Sequence, residues 1–339
     1  MMRLPWFQYR APTSVAEAAR MLADEGPRGM LIAGGTDLLP NMKRRQQTPA
    51  TLISLKRVEG LKKISNGSGL ALGAGLTLTE VVDAQAVREH YRGLWQAAAQ
   101  VASPHLRNMG TLGGNLCLDT RCNYYNQNAD WREAIGYCMK KEGKTCWVAT
   151  ASKRCLAVSS TDTAPALIAL GAKVRLVSAA GERELALASL YNNDGMDYLT
   201  RKPDEILTEI VLPEADGWKS VYWKLRRRGS FDFPLLGVAV AARAAPDGTI
   251  EEARVVLGAV SSHPLVTRAG EFLVGKKLTD ELIAEAGAMA ASRAKPMDNT
   301  DLDVYWRKEV VPDFVGYALR EIRGDDMRAM RMRISRQLL

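Results

Sequence analysis

The sequence is short of aromatics, at 6% of 339 residues, has only three histidines, and contains no stretch approaching 18 consecutive apolar residues. The last absence excludes a membrane-spanning helix, which needs about 20 such residues. The opening MMRLPWFQYRAPTS lacks the apolar central region of a signal peptide, so a cytoplasmic chain without membrane association is expected. Three histidines argue against a histidine-based metal site. Lys and Arg number 46 against 38 Asp and Glu, a net charge of +8, yet the longest basic runs are Lys43-Arg44-Arg45 and Arg226-Arg227-Arg228. Nucleic-acid binders concentrate such charge in a stripe beside stacking aromatics, so the excess points instead to anionic small molecules or acidic partner proteins. Neither the G-x-G-x-x-G fingerprint nor a P-loop is present, and no nucleophile or general-base constellation is visible.

What remains is an ordinary globular composition, 47% apolar and 25% charged with a mean hydropathy of −0.16, in a chain long enough for about two or three domains. Ser14-x-x-Glu17 is a capping box before the apolar stripe Val15, Ala18, Ala19 and Leu22, and Gly26-Pro27 ends that helix. Met30 to Ala33 and Thr51 to Leu55 read as strands. A glycine-punctuated strand from Leu70 precedes a helical stretch from Thr79 to about Ala102. Residues 103 to 162 lack clear periodicity, and an irregular segment of that length is functional or is held by something other than a core. Helix and strand signals return from Thr163 to Val177 and at Ile206 to Pro213. A new block begins near Ser220 with Val221 to Arg226, followed by apolar runs at Leu235 to Ala242 and Ala253 to Val260 and by helices from Asp280. The domain boundary falls near Gly217-Trp218. Lys224, in a probable strand, has the usual expectation of an exposed edge residue. Met327 to Leu339 alternates Arg with Met, Ile and Leu, as an amphipathic surface helix or a docking element for a partner subunit does.

Two glycine-dense loops are candidates for an anion. Gly34-Gly35-Thr36 follows a strand directly, where glycine lets backbone N–H groups approach a phosphate closely. Ser103 to Asn115, ending Gly113-Gly114-Asn115, offers a second row of donors to the same group, although a tight turn without a ligand is the simpler reading of either loop alone.

Cys117, Cys122, Cys138, Cys146 and Cys155 all fall in a 39-residue window. Random placement would do this about one time in a thousand. Structural zinc shows close Cys pairs, and only Cys117-x4-Cys122 comes near that spacing. The longer remaining gaps suit a loop wrapped around a larger object, such as an iron–sulfur cluster; zinc and buried unreactive thiols are the alternatives.

Ile32-Ala33-Gly34-Gly35-Thr36-Asp37-Leu38-Leu39-Pro40, Arg107 to Asn115, and Asp162-Thr163-Ala164-Pro165 together resemble the FAD-binding subunits of the xanthine oxidase family of molybdenum hydroxylases. The resemblance spans nearly the whole chain. It implies an α+β fold: an FAD-binding domain of the vanillyl-alcohol-oxidase type over residues 1–218, with subdomains of about 1–57 and 58–218, then a smaller α/β C-terminal domain over 219–339 like that of CO dehydrogenase flavoproteins. It further implies that Ile32, Ala33, Gly34, Gly35, Thr36, Asp37, Thr111, Leu112, Gly113, Gly114 and Asn115 hold the FAD diphosphate. Asp162, Leu207 and Lys224 would face the adenosine or flavin portions. No catalytic residue is implied on this chain, whose substrate chemistry would occur at a molybdenum cofactor on a large subunit, with 2Fe-2S clusters on a small one, in a dimer of heterotrimers.

The chain departs from the family in one place. Asn115 and Asp162 lie 47 residues apart, against about nine in the family pattern, a connection of more ordinary length. Cys122, Cys138, Cys146 and Cys155 lie inside the resulting insertion, at about 117–157, and Cys117 in the shared part. This resembles the beta-subunit branch typified by 4-hydroxybenzoyl-CoA reductase. That likeness implies a 4Fe-4S cluster on those four cysteines, reduced ferredoxin as donor, and reductive dehydroxylation as the overall reaction. The FAD subunit of a hydroxylase oxidising a purine, aldehyde or CO is the alternative, and a zinc-stabilised non-enzymatic module a second.

Overall fold

The computed structural model describes residues 3–335. Its first layer is a parallel sheet of β1 (Gln8–Arg10), β2 (Gly29–Ile32) and β3 (Thr51–Ser54) in the order β1-β3-β2. Helix Val15–Glu25 makes the crossover between β1 and β2 and buries Ala18, Ala19 and Leu22 against Ile53 and Ile206. Its capping box is shifted by one residue: Ser14 Oγ accepts from the Glu17 N–H, but the Glu17 carboxylate reaches back to the Thr13 N–H at 2.8 Å.

The second sheet holds β4 (Ile64–Gly67), β5 (Gly69–Gly73), β6 (Lys173–Ser178), β7 (Gly181–Ala186) and β8 (Ile206–Pro213), antiparallel in the order β4-β5-β8-β6-β7. Between β5 and β6 the expected single helical stretch is three helices, Leu78–Asp83, Gln85–His90 and Arg92–Ala99. The breaks come at Ala84 and Tyr91, both outside the helical region of backbone space. Tyr91 is buried there and its hydroxyl donates to the Pro213 carbonyl at 2.7 Å, so tertiary packing overrides local propensity. Three short helices aside, residues 103 to 162 are irregular, as their lack of periodicity predicts.

The third sheet comprises β9 (Trp218–Leu225), β10 (Leu236–Ala244), β11 (Ile250–Gly258) and β12 (Leu265–Thr267), antiparallel in the order β12-β11-β10-β9. One face carries Val221, Trp223, Val238, Val240 and Ala242 against helices Asp280–Arg293 and Val311–Arg323. The other carries Tyr222, Ala239, Ala241 and Val256 into the core of the preceding domain. Burial on both faces explains why β10 reads as a continuous apolar run rather than an alternation. It also explains why Lys224, on an edge strand, has no exposed surface: alternation puts it beside Tyr222 on the face that meets the first domain.

The C-terminal helix Arg328–Ser335 folds back on this domain. Met327, Met330 and Ile334 pack on its core, and Arg331 is buried with its guanidinium 4.2 Å over the Trp223 ring. Residues 336–339 of the amphipathic stretch lie outside the described residues. No helix among the described residues is long and apolar enough to cross a membrane.

Candidate functional site

The first glycine loop leaves β2 at Ile32 and runs into helix Leu38–Lys43. Gly35 has φ +71°, a left-handed conformation costly for any residue with a side chain. Gly34 is pressed so closely on the second loop that a Cβ there would overlap the Met109 carbonyl. None of the main-chain N–H groups from Gly34 to Asp37 donates to an acceptor among the described residues. Four consecutive N–H groups without partners among the described residues, on a half-exposed turn, leave a row of donors available to an anion.

The second loop contributes differently from what its glycines suggest. Gly113 N–H donates to the Ala74 carbonyl at 2.9 Å and Gly114 N–H to Thr111 Oγ1 at 3.1 Å, so these expected donors are already engaged. Gly113 is needed for packing, since a Cβ would sit 2.7 Å from that of Ala74. Leu112 N–H is taken by the Leu76 carbonyl, which leaves Thr111 N–H without an acceptor among the described residues. Gly114 is the exposed member, and a Cβ on it would meet only the Thr111 hydroxyl. The two loops therefore touch backbone to backbone, one presenting donors and the other an open glycine face. An FAD diphosphate fits such a cradle.

Asn115 ties this cradle to the segment that carries Asp162. Its Oδ1 accepts from Thr161 Oγ1 at 2.8 Å, Thr163 Oγ1 at 2.6 Å and the Thr163 N–H at 3.2 Å. Nearby Ser160 Oγ is buried without a partner among the described residues. Asp162 and Lys224 are brought together in an ion pair of 2.9 Å; Tyr222 donates its hydroxyl to the other Asp162 oxygen, and Lys224 also donates to the Gln100 carbonyl. Burial holds the Asp162 carboxyl above its ordinary range and the Lys224 ammonium below its own. Both side chains are nearly without solvent, so neither presents a surface of its own to a ligand. Leu207 is likewise buried on β8, next to Thr208, whose carbonyl accepts from Ala74 beneath the second loop. Gln100 and Thr161 were not signalled by any sequence pattern, and Tyr222 and Thr163 lay inside recognised segments without a role of their own.

The insertion leaves and returns at one point, where Arg121 and Val158 exchange backbone hydrogen bonds of 2.8 and 2.7 Å. Within it Cys122, Cys138, Cys146 and Cys155, each 5–6% exposed, line one small cavity with Tyr124, Tyr125, Lys140 and Trp147. Cys117 packs instead on the core of the FAD domain. Burial pushes the Cys122 thiol up to about 12 and the Cys155 thiol to about 11, with neighbouring cysteines adding to both. Four clustered thiolates therefore need a positive group to hold them. The described residues contain no trio of His, Cys, Asp or Glu placed for a single metal ion. About 10 Å³ of the cavity is free, but metal–sulfur bonds of about 2.3 Å are shorter than van der Waals contacts, so a bonded group draws on space the sulfur surfaces cover. Against the cavity lies a cation that sequence reasoning missed. Lys140 donates to Asp119 Oδ1 at 2.7 Å, Thr120 Oγ1 at 2.6 Å and the Gly195 carbonyl at 2.6 Å. A separate cleft of about 520 Å³, lined by Arg20, Leu61, Arg175 and Glu209, includes none of the expected site residues.

Comparison with known families matches residues 5–215 to the FAD binding domain in molybdopterin dehydrogenase and residues 220–322 to the CO dehydrogenase flavoprotein C-terminal domain. Among relatives, the FAD-binding subunit of an aldehyde oxidoreductase from Escherichia coli is 33% identical, the match covering 84% of this chain and 99% of that one. The nicotinate dehydrogenase FAD-subunit of Eubacterium barkeri is 28% identical over 90% of this chain and 92% of that one. Among solved structures, the carbon monoxide dehydrogenase of Hydrogenophaga pseudoflava superposes with a TM-score of 0.77 at 28% identity, covering 94% of this chain and 97% of that one.

Proposed function

The chain belongs to the family of FAD-binding medium subunits of molybdenum hydroxylases, and from that membership we propose that it is the FAD-carrying electron-transfer subunit of an enzyme oxidising an aldehyde, purine, N-heterocyclic or CO substrate on a partner chain. The observation that carries this reading is the row of unpartnered N–H groups from Gly34 to Asp37, packed against the second glycine loop inside the residues matched to the FAD domain. When bound there, FAD would supply a carrier able to exchange one or two electrons. The chain's part is to hold that group. Residues 32–37 and Thr111 would bind the diphosphate, the open face of Gly114 would admit it, and Leu112, Gly113 and Asn115 would brace the second loop. To Asp162, Leu207 and Lys224 we assign a bracing role behind the adenosine or flavin side, the Asp162–Lys224 pair joining a domain at 1–218 to another at 219–339.

We assign the four-cysteine cavity to a 4Fe-4S cluster on Cys122, Cys138, Cys146 and Cys155; their convergence, and the separate packing of Cys117, support it. Membership of the FAD family leaves no need for a zinc-stabilised non-enzymatic module. The proposed partners are a molybdenum-cofactor large subunit and a 2Fe-2S small subunit, in a dimer of heterotrimers.

A second reading is ferredoxin-driven dehydroxylation of 4-hydroxybenzoyl-CoA. The cysteine cavity favours it, because a cluster near the surface suits the entry of low-potential electrons. The relatives weigh toward oxidation, since their names give an aldehyde, nicotinate and carbon monoxide as substrates. The experiment is to purify the complex through this chain, record its flavin spectrum, and assay it with aldehydes, purines, nicotinate and CO, and separately with 4-hydroxybenzoyl-CoA and reduced ferredoxin. Turnover of an oxidisable substrate supports the first reading, turnover of the thioester alone replaces it with the second, and a complex without flavin sinks both.

A further inference from the structure

The insertion grips the helix that follows the first glycine loop, and it does so at both ends. At the start of helix Leu38–Lys43 the Arg121 guanidinium pairs with the Asp37 carboxylate, and its NH1 lies 3.4 Å from Asn41 Oδ1. Asn41 in turn donates to the second Asp37 oxygen at 3.1 Å. At the far end Arg132 donates to the Arg44 carbonyl at 2.8 Å and Gln46 to the Tyr125 carbonyl at 2.5 Å. Arg121, Asn41, Gln46 and Arg132 are all buried. Arg121 is also tied by its main chain to Val158, the other end of the insertion, and its side chain lies under the Phe233 ring at 4.5 Å.

This arrangement resolves an electrostatic conflict. Asp37 closes the row of N–H groups assigned to the diphosphate, where an unpaired carboxylate would repel the anion. Its partner comes from the residue immediately before the first cluster cysteine, Cys122.

We propose that Arg121 is a positioning residue for FAD: it neutralises Asp37 beside the diphosphate loop and thereby links the state of the cysteine cavity to flavin affinity. The inference rests on the assignment of residues 32–37 to the diphosphate. By linkage, whatever orders the insertion tightens flavin, and bound flavin tightens the grip on the insertion by the same factor.

The test is a flavin-binding titration on the full-length chain, read by flavin fluorescence, with iron content and the flavin midpoint potential measured alongside. Arg121→Gln should weaken FAD by about 10- to 100-fold at unchanged iron content. It should also lower the flavin potential, because an uncompensated carboxylate disfavours added negative charge. Arg121→Lys should recover much of both, and Asp37→Asn in the Arg121→Gln background should restore affinity by removing the repulsion. Asp37→Asn alone should bind FAD at least as tightly as wild type, and it tests the proposal even if Arg121→Gln does not fold. Cys138→Ser should weaken FAD in the Arg121 chain and have little further effect in Arg121→Gln. A folded Arg121→Gln chain with wild-type FAD affinity overturns the proposal, as does an Asp37→Asn chain that loses flavin to the same extent. A wild-type chain that binds no FAD overturns the assignment of the loop itself.

Discussion

Lys224 and Asp162 form an ion pair across the two domains, Nζ to Oδ2 at 2.9 Å, with side chains 0% and 3% exposed. Removing one partner of such a pair leaves the other charge buried and alone, so Lys224→Met should destabilise the chain by about 3–5 kcal/mol in denaturant unfolding. Changing both, as Lys224→Met with Asp162→Asn, should recover part of the loss. In the single variant the deficit should shrink as the pH falls toward about 4, since a carboxyl whose folded pKa is raised is stabilised by protonation. A deficit independent of pH would assign the loss to packing alone.

At the loop contact, Gly34→Ala should force the two glycine loops apart, because the added Cβ overlaps the Met109 carbonyl. Gly35→Val should add about 1–2 kcal/mol of backbone strain at a positive φ. Both variants should fold, by circular dichroism, and release flavin on gel filtration. Flavin retained at wild-type stoichiometry in a folded Gly34→Ala chain would remove the loop contact from the site.

Iron analysis separates the cysteines. Cys138→Ser should lose the iron of the proposed cluster, whereas Cys117→Ser, whose side chain packs on a different core, should keep it. Loading should also be strongly pH-dependent. Raised pKa values keep Cys122 and Cys155 protonated at neutral pH, and metal binding must expel both protons. Apparent affinity should therefore rise by at least about a hundredfold per pH unit between pH 6 and 8. A flat profile would mean that these thiols are not ligands.

Arg331 in the C-terminal helix donates to Glu321 at 2.6 Å and to the Tyr222 carbonyl at 3.2 Å, and stacks on Trp223. Arg331→Ala should cost about 2 kcal/mol in thermal or denaturant unfolding. Arg331→Lys should recover only part, because a single ammonium cannot reproduce the planar fork. Wild-type stability in Arg331→Ala would mean that the tail is held by Met327, Met330 and Ile334 alone.

How much of this was legible beforehand differs by element. β8 and the helix at Val15 were readable because their apolar spacing is local, and the glycine loops because close backbone approach demands glycine wherever it occurs. The three-way break of the helical stretch was not, since its cause at Tyr91 is a carbonyl at Pro213, far along the chain. Nor was the use of the second loop: Gly113 and Gly114 advertise donors that Ala74 and Thr111 have already taken. Arg121, Lys140 and Asp119 carried no signal, because a polar residue in an aperiodic segment reads the same whether it is solvated or buried. Lys224 sits on an edge strand, and nothing in that strand says that the first domain covers the face it points from.

The hydrogen-bonded pair Arg121 and Val158 bears on how such a subunit diversifies. The chain between them begins and ends at one point and carries its own small cluster of buried residues, with no member in common with the main core. Closing a flexible excursion grows costlier only slowly with length, by about 0.6 kcal/mol per doubling. The segment is therefore a cassette in its chain path: a short turn joining Arg121 to Val158 would close the excursion, and the cost of shedding it is the set of contacts that Tyr125, Arg132 and Lys140 make with the rest of the chain.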